Sequence, residues 1–443
     1  MTEFLRPQSH RILLSCCLAL LLVGHSPSAQ PPAGSAPDAV GVSSAQLQRL
    51  SASLQDYVSS GQLPGAVTMV GRRGQIVYAK AFGSRDREAA APMRTDSIFR
   101  IASQTKALVS VGIMQLQEEG RLRISDPVGR HLPEFQKTTV AVPKSGGGYE
   151  VVPARRAITI RDMLTHTAGI GYGTGVAADQ WKAAGIQGWY FADRTEPIAA
   201  TVSRMAALPF DAQPGERFVY GYSTDILGVL IEKVSGQALD EFIRQRITEP
   251  LRMDDTHFYL PAAKADRLAV VYSRTADGLE RTPDQGGMFS QGAYVTGPRQ
   301  SLSGGAGLLS TAGDYMRFLQ ALLNGGTLDG VRILSRKSVE LMTVDHLGPI
   351  ETQPGVGFGL GFSVLLDLGR RGSLGSVGEF GWGGAYHSTY WVDPSEALIV
   401  VHMTQVIPAG DLDDYGTVRA VIYSSLVDSS KASGTALQSL RDR

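Results

Sequence analysis

The sequence predicts a mixed α/β (α+β) fold in which both ends of the chain contribute strands to one sheet and a mostly helical segment is inserted between them. Two observations carry this. Apolar, β-rich runs occur at 66–82 and return between 360 and 403. Between them lie helical patterns broken by long loops bearing Gly and Pro. With 443 residues, 43% of them apolar, the chain can build a large core and is long enough to divide it.

The first thirty residues differ from the rest. Arg6 and Arg11 precede an apolar run at 12–24, followed by Ser26-Pro27-Ser28-Ala29. A basic start, a short apolar stretch and small residues describe a secretory signal peptide over 1–29. An N-terminal anchor is the alternative, but the run falls short of the about 20 residues that span a bilayer. Leu13-Leu14-Ser15-Cys16 resembles a lipoprotein cleavage box, yet most of the apolar run follows it. The expectation is an exported protein, periplasmic or secreted. Cys16 and Cys17 are the only cysteines, so cleavage leaves no thiol for a nucleophile, a zinc site or a disulfide.

Residues 30–40 are rich in Pro, Ala and Ser and read as a flexible lead-in. A helix is expected at 44–59. The runs 66–70 and 75–82 flank Arg72-Arg73-Gly74, a hairpin signal. Residues 103–119 are helical and closed by Gly120, and their apolar residues point nearly all round, so this helix should be buried. Another helix runs from about 225 to 234, stopped by Gly236. Strands are expected at 360–366, 387–392 and 397–403, with Asp393-Pro394-Ser395 turning between the last two. This divides a domain at 41–430 into a sheet part (about 60–102 and 300–430) and a helical part (about 103–299), followed by a tail at 431–443.

Charge excludes some partners. Lys+Arg and Asp+Glu each number 42, and no like-charge run marks a nucleic-acid or membrane surface.

Three short segments carry chemistry. In Ser103-Gln104-Thr105-Lys106, residues three apart share one helix face, so the lysine amine can reach the serine hydroxyl. A serine becomes a nucleophile when a base takes its proton, and a desolvated lysine can serve. The helix N-terminus adds a positive potential that favours the alkoxide. The bland reading is an N-cap serine beside a solvated lysine.

The second segment, 218–225, follows a Pro214-Gly215 turn and carries Tyr220 and Tyr222. Either tyrosine could share protons with a serine and a lysine; either could equally be a half-buried aromatic. The third, Gly381-Trp382-Gly383-Gly384-Ala385, precedes a strand. Its glycines let the backbone pass close to a neighbour. Acyl transfer needs two N–H groups aimed at the developing oxyanion, and the Ser103 and Ala385 amides are the candidates. A plain glycine-rich turn is the alternative.

Taken in order, these segments resemble the serine β-lactamase and penicillin-binding superfamily, and more narrowly its family VIII carboxylesterases. The resemblance runs from about residue 47 to 427. It includes Phe99-Arg100-Ile101-Ala102, Leu164-Thr165-His166-Thr167-Ala168-Gly169 and Ser303-Gly304-Gly305-Ala306-Gly307-Leu308. Pro250-Leu251-Arg252-Met253 is similar to the family's Pro-Leu-Gly-Met turn, with Arg252 for glycine. The resemblance implies a central antiparallel sheet flanked by helices, with an inserted, mostly helical subdomain. It assigns the third catalytic group to Tyr220, between Gly215 and Asp225-Ile226-Leu227-Gly228, beside Ser103 and Lys106.

Two departures bear on substrate. Tyr222 stands where β-lactamases usually carry Asn, and Trp382 where penicillin-recognising enzymes carry Lys or His. Both favour an ester over a penicillin. Tyr222, Trp382, Gly383, Gly384 and His387 are the candidate substrate-binding residues, and no metal or cofactor is implied. The expectation is a serine hydrolase of short-chain esters with at most weak β-lactam hydrolysis. The alternatives are a β-lactamase, a D-amino-acid peptidase or other amide hydrolase, or a non-catalytic sensor. Gly-x-Ser-x-Gly and His-Glu-x-x-His are absent, which removes the α/β-hydrolase elbow and the common zinc site. His166, His387 and His402 are expected to pack or hydrogen-bond rather than catalyse.

Overall fold

A computed structural model describes Thr2 and residues 36–428. The signal-peptide segment, both cysteines, most of the lead-in and the C-terminal tail lie outside the described residues. The end of the lead-in is a correction: Pro37–Val40 forms a 3₁₀ turn, and Val40 packs with Val42, Leu47 and Leu398.

An eight-stranded sheet organises the domain. In chain order its strands are β1 (Gly65–Arg72), β2 (Gln75–Asp86), β3 (Ala91–Pro92), β4 (Val356–Phe358), β5 (Ser363–Leu365), β6 (Phe380–Gly384), β7 (Ser388–Asp393) and β8 (Leu398–Met403). Their spatial order is β4-β5-β6-β7-β8-β1-β2-β3, and every pairing is antiparallel. The two ends of the chain meet where β1 lies against β8, with Val67 opposite Met403.

Both faces of this sheet are covered, so its central strands carry unbroken apolar runs rather than alternation. On one face Leu398 and Val400 pack with Leu50 and Leu54 of helix α1 (Ser44–Ser59) and with Val418 and Ile422 of the last helix. On the other, Ile399, Val401 and Met403 join the main core with Val67 and Met69. That core also holds helix α2 (Thr105–Glu118), buried at every position from Thr105 to Leu116. Helices α3 (Ser223–Ser235) and α4 (Ala312–Leu323) pack against α2 and against β8 with β1, respectively. The last helix, α5 (Asp414–Ser424), lies against α1.

Two expectations shift. The strand expected at 360–366 shortens to β5, because Gly361 takes φ 97° and turns the chain back after an unanticipated β4. The glycine-rich segment is itself a strand, β6, rather than a turn before one. It pairs with β5 and β7. Arg252 adopts φ 53°, the left-handed conformation a glycine takes without steric cost, which accounts for the residue type it replaces.

Candidate active site

The nucleophile candidate sits at a sharp junction. Phe99–Arg100 pairs with Leu309–Ser310, and then Ala102, at φ 42°, reverses the chain into a short 3₁₀ turn and α2. Ser103 lies in that turn, facing an open cavity of about 360 Å³.

Lys106 is almost wholly buried, and its side-chain nitrogen has three neutral oxygen partners. These are Ser103 Oγ at 3.2 Å, Tyr172 Oη at 3.2 Å and the Gly305 carbonyl at 2.7 Å. A lysine so surrounded is fixed in direction, with one bond aimed at the serine hydroxyl. That is the geometry a general base requires.

The buried carboxylate of Asp225 is relayed toward this amine. Its Oδ1 accepts from Ser303 Oγ at 2.6 Å and from the Gly305 amide at 3.0 Å. Burial pushes Asp225 above the usual carboxylate range, against the pull of Ser303 and Lys106.

Tyr172 is a site residue that sequence reasoning missed. It lies in Gly171-Tyr172-Gly173, just past the His-Thr-Ala-Gly segment, and a tyrosine between glycines in a loop was the available signal. Burial, followed by the proximity of Tyr220 and Asp225, drives its phenol well above its ordinary value. Its hydroxyl therefore keeps its proton at neutral pH. Tyr220 also faces the cavity, but its hydroxyl accepts from Trp382 Nε1 at 3.0 Å. Lys106 Nζ lies 4.7 Å from the centre of its ring.

Aromatic rings form the walls: Tyr172, Tyr220, Trp382 and Trp189, the last not anticipated. Gly383, Gly384 and Ala385 line the remaining side with backbone, and among the described residues no charged side chain borders the cavity. Gly384 must lack a side chain, since a Cβ there would stand 2.5 Å from the Ile101 carbonyl oxygen. This close approach brings the end of β6 against the nucleophile loop. Neither the Ser103 nor the Ala385 amide has a backbone acceptor among the described residues.

Two expected substrate-binding residues lie elsewhere. Tyr222 is fully buried, stacked on Trp181, and donates to the Gly188 carbonyl at 2.7 Å. Its place at the start of α3 turns it into the core. His387 does not border the cavity either; its Nε2 lies 2.5 Å from Asp414 Oδ1 on α5. His166 packs on Tyr220 with ring centroids 4.7 Å apart. Burial, then the charge of Lys106, holds it well below its ordinary value and hence neutral.

A family model described as Beta-lactamase matches residues 50–421. An uncharacterised protein of Mycobacterium tuberculosis is 37% identical, over 82% of this chain and 90% of its own. Esterase EstB of Burkholderia gladioli is 32% identical, over 84% of this chain and 94% of its own. The solved structure of EstCE1, a hydrolase with promiscuous acyltransferase activity, superposes with a TM-score of 0.73. It is 27% identical, covering 85% of this chain and 98% of that one.

Proposed function

The chain belongs to the Beta-lactamase family, and on that premise we propose that it is a serine esterase acting on uncharged carboxylic esters through an acyl-Ser103 intermediate. The observation that carries this reading is Lys106 Nζ at 3.2 Å from Ser103 Oγ, beside a cavity walled by aromatic rings.

Ser103 Oγ attacks the ester carbonyl as its proton passes to Lys106. The Ser103 and Ala385 amides take the oxyanion of the tetrahedral intermediate; a donor of this kind contributes about 10²–10³ in rate. As the intermediate collapses, the C–O bond to the alcohol breaks, and the leaving oxygen receives a proton from Lys106 or through Tyr220 and Tyr172. Water then attacks the acyl carbon, giving its proton to the same groups; the bond to Ser103 Oγ breaks, Oγ takes a proton back, and the carboxylic acid leaves. An alcohol in place of water would complete an acyl transfer by the same steps.

The cavity walls support an ester over a β-lactam. A penicillin carries a carboxylate, and its burial without a cationic partner is costly; Trp382 offers only an N–H, already donated to Tyr220. Short acyl chains suit the cavity, and weak β-lactam turnover is the expected limit of the amide reading. We also assign residues 1–29 to an export signal, which N-terminal sequencing of the secreted protein would test.

The test compares a p-nitrophenyl short-chain ester with a chromogenic cephalosporin, using wild type and Ser103→Ala. Ester turnover that survives Ser103→Ala defeats the mechanism. Cephalosporin turnover far above ester turnover reverses the substrate ranking.

A further inference from the structure

His387 occupies an unusual backbone position. Its φ is 57°, a left-handed value that few residues other than glycine adopt. It closes the turn after β6, where its N–H donates to the Gly384 carbonyl at 3.1 Å. Ala385 and Tyr386 are the corners of that turn, so the turn's shape sets where the Ala385 amide points.

The side chain runs away from the cavity into a buried polar network. His387 Nε2 lies 2.5 Å from Asp414 Oδ1, and the ring stacks on Tyr415 with centroids 4.1 Å apart. The other carboxylate oxygen, Asp414 Oδ2, lies 2.8 Å from His402 Nε2 on β8. His402 Nδ1 in turn lies 2.7 Å from Thr68 Oγ1 on β1. The side chains of Asp414 and His402 are both 0% exposed. Burial alone would raise Asp414, but the bonds from the two imidazoles outweigh it and hold the carboxyl well below the usual range. One buried carboxylate thus ties together the turn, two central strands and the C-terminal helix.

The other parts of the turn are fixed too. Gly384 is pressed against the nucleophile loop, Tyr386 is fully buried, and Thr404 Oγ1 donates to the His387 carbonyl. None of these needs a histidine. What the imidazole adds is a lateral anchor to Asp414 at the end of the β6–β7 hairpin.

We propose that His387 is a positioning residue for the reaction: clamped to Asp414 of α5, it fixes the direction of the Ala385 amide relative to Ser103. The inference rests on the esterase reading, in which that amide holds the oxyanion. A misdirected donor loses its transition-state bond while leaving ground-state binding almost untouched.

The test uses the full chain and a p-nitrophenyl ester. His387→Gly keeps the left-handed backbone and removes the imidazole, with its bond to Asp414 and its stack on Tyr415. Its kcat should fall about 10-fold with KM within about 2-fold, and added imidazole should restore part of the loss. Asp414→Asn should reproduce the fall, and the double variant should be no worse than either single one. Wild-type kcat in His387→Gly, or losses that multiply in the double variant, overturns the clamp. Should His387→Gly fail to fold, Asp414→Asn with an unchanged melting profile carries the same kcat comparison. Ester turnover that persists in Ser103→Ala defeats the esterase reading instead, so the two failures are distinguishable.

Discussion

Lys106 donates to the Gly305 carbonyl at 2.7 Å, a closer contact than its 3.2 Å approach to Ser103 Oγ. That carbonyl shares a peptide unit with the Ala306 N–H, which donates to Ser303 Oγ at 3.0 Å. Ser303 in turn donates to Asp225 at 2.6 Å. The buried carboxylate therefore acts on the lysine through one hydroxyl and one peptide, each bond polarising the next. Two motifs nearly eighty residues apart in sequence are joined by this relay.

Breaking the relay at its middle should loosen Lys106 without touching the cavity. Ser303→Ala is expected to lower kcat/KM about 10-fold and stability by about 1–2 kcal/mol, since Asp225 and the Ala306 amide each lose a buried partner. Steady-state kinetics with a thermal melt checks both; unchanged kcat/KM contradicts the relay.

The two tyrosine hydroxyls hold different partners. Tyr172→Phe removes one of the three partners of Lys106, whereas Tyr220→Phe leaves the Trp382 N–H unpaired. Both are expected to lose at least 10-fold in kcat, as general acid–base groups do. Trp382→Phe should mimic part of the Tyr220→Phe defect only. Equal loss in Trp382→Phe and Tyr220→Phe would mean that the indole bond accounts for the whole role of Tyr220.

How much of this was legible depends on the range of the interaction. Ser103 and Lys106 are three residues apart, so helical geometry alone places them together. The buried α2 follows from its apolar residues. Tyr172 reaches Lys106 across 66 residues, and no local spacing encodes that approach. β6 reads as a turn because glycine has poor strand propensity; its neighbours β5 and β7 make it a strand by pairing. Motif position puts Tyr222 in the pocket, yet it stacks on Trp181, 41 residues earlier, and donates to the Gly188 carbonyl. His387 adjoins a glycine element in sequence, but its partner Asp414 belongs to another face of the sheet.

A wall change should redirect specificity. Trp382→Lys supplies a cation beside the cavity and removes the donor to Tyr220. Ester kcat is expected to fall, and the ratio of cephalosporin to ester turnover to rise, by roughly 10-fold. An unchanged ratio would show that carboxylate recognition does not depend on this position.

Stability should carry a pH signature at Asp314. Burial raises its carboxyl to about 6, despite bonds from the Asp255 amide at 2.8 Å and Thr256 Oγ1 at 2.9 Å. With a folded value above the unfolded one, the native state binds more protons between pH 4 and 6. Its contribution is full below pH 4 and is lost as pH rises through 6. Asparagine does not titrate, so Asp314→Asn should gain on wild type by up to ~3 kcal/mol from pH 4 to pH 7. Thermal melts at both pH values test this; a constant difference contradicts it.

The acyl-enzyme is the central claim, and trapping it is the most direct measurement. Wild type mixed with a p-nitrophenyl ester and quenched in acid should carry the acyl group on one tryptic peptide, residues 101–106, with the modification on Ser103. Ser103→Ala should carry none and release no p-nitrophenol. An acyl group on another residue, or turnover by Ser103→Ala, would contradict the account.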